Sequence, residues 1–246
     1  MNYSRWYKFF GLGLVILSAI VYYFHYQLFH DAHHIFIFLV GDIAFVPIEV
    51  LLVSMVIHHF LSNMEKRQKL EKLNMVIGTF FSEVGTNLLT LFSDHDPKLD
   101  NIRHDFMITD RWSDEEFANV SNKLQGYNYS IDLKDLDLDE LRIFLNEKRG
   151  FLLRLLENPI MLEHETFTQL LRAVFHMTEE FDCRDDFGCL PDTDLEHLRG
   201  DIERSYGLLV NEWLAYMHHL KDNYPYLFSL AMRTNPFDRE SSPIVK

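Results

Sequence analysis

Two long apolar runs close to the N-terminus, joined by a short link, constrain this chain more than any other feature. From Phe9 to Phe24 it reads FFGLGLVILSAIVYYF without a charge, and the apolar character continues to about Leu28. That is roughly the twenty residues a helix needs to cross a hydrocarbon core. A second run, IFIFLVGDIAFVPIEVLLVSMVIHHFL, extends from about Ile35 to Leu61. At about 1.5 Å per residue it exceeds the core thickness and allows tilt. A secretory signal peptide is the competing reading of the first run. Its length, its aromatic content, the lack of a small-x-small cleavage site and the second run directly after it favour an anchor. The spans at 9–28 and 35–61 therefore predict a transmembrane hairpin over residues 1–62.

Charge orients the hairpin. The link from about His25 to His34 holds no Lys or Arg, whereas Arg5 and Lys8 precede the first span and Lys66, Arg67, Lys69 and Lys72 follow the second. The positive-inside rule places both termini in the cytoplasm, in a cell membrane. Trp6, Tyr7, Tyr22, Tyr23 and Tyr26 lie at the ends of the first span, where amphipathic rings favour headgroups.

Beyond the hairpin the composition changes sharply. Residues 1–61 contain only Arg5, Lys8, Asp31, Asp42 and Glu49 as charged side chains; removing them from totals of 37 acidic and 23 basic residues leaves 34 and 21. Such an acidic remainder argues against nucleic-acid binding, which needs clustered Lys and Arg. Cys183 and Cys189 are expected as free thiols in a reducing compartment. A zinc site built from them with His176 and His197 fits no standard ligand spacing.

Helical periodicity runs through this remainder. Leu70, Leu73, Ile77, Phe80 or Phe81, Val84, Leu88 and Leu91 predict an amphipathic stalk helix over 63–95, with Gly78 and Gly85 on one face to admit a neighbouring helix. A cytoplasmic helical domain follows over 96–246. Ser113 with Glu116, and Thr193 with Glu196, have capping-box spacing. Further helices are predicted over 137–156, 164–181, 194–221 and 226–233, with Pro97, Pro159, Pro191, Pro225 and Pro236 at their borders. The tail after Phe237 is expected to be loose, and Tyr224, Tyr226, Leu227, Phe228 and Phe237 to cap the core. The fold class is all-α.

The residues most suggestive of chemistry are Asp42 and Glu49, because a carboxylate inside a membrane helix is costly and usually faces a cavity or the bundle interior. Seven residues apart, they lie within about 20° of each other around the helix. Pro47 between them leaves the Ile43 carbonyl without its usual donor. In a homo-oligomer these positions would stack two carboxylate rings along an axis flanked by Phe38 and Phe45, an arrangement that selects cations. The competing readings are hairpin packing through hydrogen bonds and a proton or substrate relay. The pattern lacks the Trp-Asp-x-x-Glu-Pro signature of the mitochondrial calcium uniporter pore family: no tryptophan precedes Asp42, and the carboxylate and proline spacing differs, so no membership follows.

Other signals are weaker. His25, His30, His33 and His34 surround the outer link and His58 and His59 lie near the inner end; facing imidazoles can ligate haem or a metal or sense pH, but interfacial histidines are the plainer reading. Asp135, Asp137 and Asp139 imitate a calcium loop, yet Glu140 stands where glycine is needed and Asn146 where a bidentate glutamate is needed. They read better as the charged start of a helix. With no phosphate loop, nucleophile elbow, kinase signature or HExxH, neither enzyme activity nor a cofactor is expected. The sequence thus predicts a lipid-embedded homo-oligomer that passes an inorganic cation, or else a membrane-anchored regulatory protein whose helical domain binds a partner.

Overall fold

The computed structural model describes residues 3–245, with side chains from Tyr7 onward except those of Leu162 and Glu163. The side chains of Arg5 and Trp6, used above for orientation, lie outside the described residues. The chain is all-helical, and no strand occurs among the described residues. It divides into two compact units, residues 1–66 and 67–246.

The first unit contains α1 (Tyr3–Phe29) and the beginning of α2 (Ala32–Phe80). The helices extend further into the link than the sequence predicts, leaving only His30 and Asp31 between them. His30 adopts a left-handed φ of 51° while its N–H donates to Tyr26 at 2.8 Å, which closes α1. Asp31 then accepts the N–H of His34 at 3.1 Å and so caps α2. Both helices contain stretches long and apolar enough to cross a membrane, and neither stretch is buried. Of residues 7–66, only His25, Ile35 and Leu39 are even half-buried. These two helices therefore do not bury one another along their length, and their apolar surface is available to lipid or to other copies.

The second unit has a continuous core centred on α7 (Asp192–Asn223). Leu198, Ile202, Tyr206, Leu209, Trp213, Met217 and Leu220 recur every three or four residues along α7 and are all buried. Against α7 pack α3 (Thr86–Asp94), α4 (Asp114–Gln125), α6 (Glu165–Asp182) and α8 (Pro225–Arg233), while α5 (Leu138–Leu156) covers the other side of α6. A helix packed from several directions needs a wide apolar stripe, which is what α7 carries.

Several starts follow the expected chemistry. Ser113 and Glu116 form the capping box of α4, with Glu116 accepting the Ser113 N–H at 2.6 Å and Ser113 Oγ accepting the Glu116 N–H at 3.4 Å. Asp137 caps α5 through the Glu140 N–H at 2.9 Å, so the acidic run serves a helix start. The box expected at Thr193 and Glu196 does not form. Helix α7 opens two residues earlier, where Pro191, in extended geometry, accepts the N–H groups of Asp194 and Leu195. Proline's fixed φ and missing donor suit that boundary and outweigh the serine-threonine signal.

Residues of the predicted stalk helix contribute to this core. Leu73, Ile77 and Phe80 at the end of α2 are buried, as are Phe81, Val84, Leu88, Leu89 and Phe92 beyond it. A π-helical turn over Phe81–Gly85 separates α2 from α3. The extra residue in such a turn shifts the helical register, so Phe80 and Phe81 both point inward. Gly78 does admit a neighbour, Tyr216 of α7, whereas Gly85 admits rings from its own turn, Phe80 and Phe81.

The C-terminal segment is also tied down. Phe237 is fully buried and stacks on Phe106 with ring centroids 4.1 Å apart, and Arg103 donates to its carbonyl at 2.7 Å. Ser242 N–H returns to the Arg233 carbonyl at 2.9 Å, so the residues after Phe237 fold back on the end of α8. Of the residues expected to cap the core, Phe228 and Phe237 are buried and Tyr224 packs against it, while Tyr226 and Leu227 face outward.

Candidate functional site

Asp42 and Glu49 lie in α2 with Phe38, Ile43, Phe45 and Pro47, and the helix passes through Pro47 without interruption. Two turns apart, the carboxylates share a face, about 10 Å apart along the axis. The ring of Pro47 offers no N–H, so the Ile43 carbonyl lacks its ordinary helical partner and can accept a bond from water or a cation. Phe38 and Phe45 are turned about 40° and 60° from Asp42, which puts them beside the carboxylate face.

All six positions are exposed. Among the described residues neither carboxylate has a hydrogen-bond or ion-pair partner. An anion on a helix whose every other neighbouring side chain is apolar cannot rest against lipid tails at low cost.

The outer histidines meet at the turn. His25 and His34 stack with centroids 6.1 Å apart and planes 2° from parallel, and His34 packs edge-on against Phe38 at 4.7 Å. His58 and His59 are adjacent on α2; His59 bonds to Asn63 at 3.1 Å.

In the second unit, Cys183 and Cys189 are both free and exposed. His176 and His197 do come together, but around Glu180 and Asp201 and not around the thiols. Sequence reasoning missed this grouping. Its signal was present as two histidine-carboxylate pairs at four-residue spacing, His176 with Glu180 and His197 with Asp201.

Residues 69–233 match the family model described as "Uncharacterized protein MJ1433, C-terminal helical domain", and residues 2–61 match "MJ1433, N-terminal helical domain". The chain is 46% identical over 241 residues to "Uncharacterized protein MJ1433" of Methanocaldococcus jannaschii, covering 98% of this chain and 97% of that protein. No solved structure matches.

Proposed function

The chain belongs to the MJ1433 family, and we propose that it acts as a subunit of a homo-oligomeric membrane assembly that conducts an inorganic cation past Asp42 and Glu49. The observation that carries this reading is the pair of same-face carboxylates, unpartnered among the described residues, on an exposed apolar helix. In such an assembly α1 and the apolar faces of α2 meet lipid and neighbouring copies, and the carboxylates gather around a common axis. Their rings exchange the hydration shell of an entering cation for carboxylate and carbonyl oxygens, with the Ile43 carbonyl supplying the latter. Both termini, and the acidic second unit, lie on the cytoplasmic side.

Two helices per chain cannot enclose a path alone, so subunit number is the first test. Mass photometry of the full-length protein in mild detergent should give particles of several chains each. Strictly monomeric particles would exclude the path and leave a membrane-anchored protein acting through its helical domain.

A further inference from the structure

Helices α6 and α7 each carry a histidine followed one turn later by a carboxylate: His176 and Glu180 on α6, His197 and Asp201 on α7. Residues four apart share a helix face, and α6 and α7 pack against each other. The four side chains consequently converge. Asp201 Oδ2 lies 3.6 Å from His176 Nε2 and 3.5 Å from His197 Nε2, and Glu180 lies 3.8 Å from the first ring nitrogen and 3.5 Å from the second.

These separations are too long for good hydrogen bonds. They are close to the roughly 3.3 Å between neighbouring ligand atoms when N and O donors sit about 2.0–2.1 Å from a tetrahedral zinc ion. One ligand atom from each of Glu180, His197 and Asp201 falls within 4.8 Å of the others, and His176, outside that set of three, reaches the same Asp201 oxygen from α6 at 3.6 Å.

Asp201 supplies an independent indication. It is 2% exposed, and neither of its oxygens accepts a hydrogen bond. Arg204 approaches Oδ1 at 3.1 Å, leaving Oδ2 directed at the two imidazoles. A buried carboxylate is costly unless its lone pairs are engaged, and a bound cation engages them. Outside this group, Arg184 donates to Glu180 at 2.8 Å and is itself gripped by both oxygens of Asp194 at 2.7 Å. Such outer contacts fix the orientation of metal ligands. By contrast, in the grouping of Asp114, His218 and Asp222, His218 already bonds Asp114 at 2.8 Å and the carboxylates are exposed, so nothing there lacks a partner.

We propose that His176, Glu180, His197 and Asp201 form a site for one divalent first-row transition ion, of which zinc is the type. Two imidazoles disfavour calcium and magnesium, and two carboxylates with no thiolate disfavour a soft ion. The two histidine rings are about half exposed and His176 also lines an open groove with Arg172, Glu203 and Arg204. One side of the ion is thus reachable by water or a small anionic ligand. The site clamps the end of α6 to the start of α7.

The test uses full-length protein in detergent, stripped with a chelator and titrated calorimetrically with Zn²⁺ alone, with Co²⁺ absorption reporting ligand geometry. Wild type should take up one ion per chain. His176→Gln and His197→Gln should each weaken uptake at least tenfold, and the double variant should lose it, while His218→Gln binds like wild type. Asp201→Asn should behave like the double variant. Because His176 and His197 are half exposed, their variants keep the test valid should Asp201→Asn not fold; circular dichroism of the metal-free proteins checks this. The proposal is overturned if wild type shows no saturable Zn²⁺ uptake, or if the histidine variants bind as well as wild type.

Discussion

The Tyr216 hydroxyl occupies the space that a side chain on Gly78 would need, standing 2.6 Å from the position of its Cβ, while the Tyr216 ring lies flat against Phe81 with centroids 5.5 Å apart. Glycine inside a helix ordinarily costs about 1 kcal/mol relative to alanine. Here the close approach of α7 uses the missing side chain. Gly78→Ala should therefore destabilise the wild-type protein, and cost about 1 kcal/mol less in a Tyr216→Phe background, where only the ring carbon Cζ at 3.3 Å still crowds the new Cβ. Thermal unfolding of the four proteins in a double-mutant cycle measures the coupling. Equal effects of Gly78→Ala in both backgrounds would mean that the hydroxyl does not set the helix separation.

Gly85 is less forgiving. A Cβ there would meet Phe81 at 2.5 Å and Phe80 at 2.9 Å, and both rings are locked in the core. Gly85→Ala should cost roughly 1–3 kcal/mol, the usual range for overpacking. Urea unfolding followed by tryptophan fluorescence would report it. A stabilised Gly85→Ala protein would show that the π-helical turn relaxes to regular α-helix without loss.

The same turn marks a limit of what the sequence discloses. Periodicity identified the apolar stripe from Leu70 to Leu91, of which Leu70 is exposed, but left Phe80 and Phe81 as alternatives, because a regular helix buries only one of them; a π-helical turn, which no residue spacing announces, buries both. Periodicity likewise could not tell which helix would cover that face, since any partner needs the same apolar stripe. Helix borders were legible where a proline or a true capping box stood, as at Ser113. The start of α7 was misplaced because Thr193 and Glu196 have the right spacing while Pro191 already provides the boundary. The charges at Asp42 and Glu49 stood out against an apolar run. The grouping of His176, Glu180, His197 and Asp201 stayed hidden because it depends on which helices pack together, information that local spacing does not contain.

Asp96 offers a pH test of the second unit. Its side chain is buried, with one oxygen accepting from Tyr127 at 2.9 Å and the other from the Lys98 N–H at 2.9 Å. Burial pushes its pKa above the ordinary carboxylate value, outweighing those hydrogen bonds. A raised folded-state pKa contributes stability that is fully present below the unfolded value and lost as pH rises through the folded one. Asp96→Asn removes the ionisation, so at neutral pH the variant should be at least as stable as wild type, and wild type should gain on it as the solution is acidified. Melting curves of both proteins from pH 7 down to 4 provide the check. A difference that is independent of pH would contradict the assignment.

Orientation can be tested apart from conduction. A cysteine introduced at Ala32, beside the tight turn formed by His30 and Asp31, should react with an impermeant thiol reagent applied outside intact cells, in a background with Cys183 and Cys189 replaced by serine. Labelling only after the membrane is opened would reverse the proposed topology.

Cation flux through proteoliposomes, wild type against Glu49→Gln, bears most directly on the proposed role. A carboxylate ring attracts cations through its charge, and the amide keeps nearly the same shape without it. Substitution therefore separates conduction from packing. Wild type should carry a cation down an imposed gradient, and Glu49→Gln should lose at least nine-tenths of that flux, about 1.4 kcal/mol in the controlling step, while keeping the same particle mass. Asp42→Asn should lose less, because a ring nearer the aqueous mouth is screened by salt. If wild type carries no cation under any gradient, or if Glu49→Gln conducts as wild type does, the carboxylates do not line a path and the account fails.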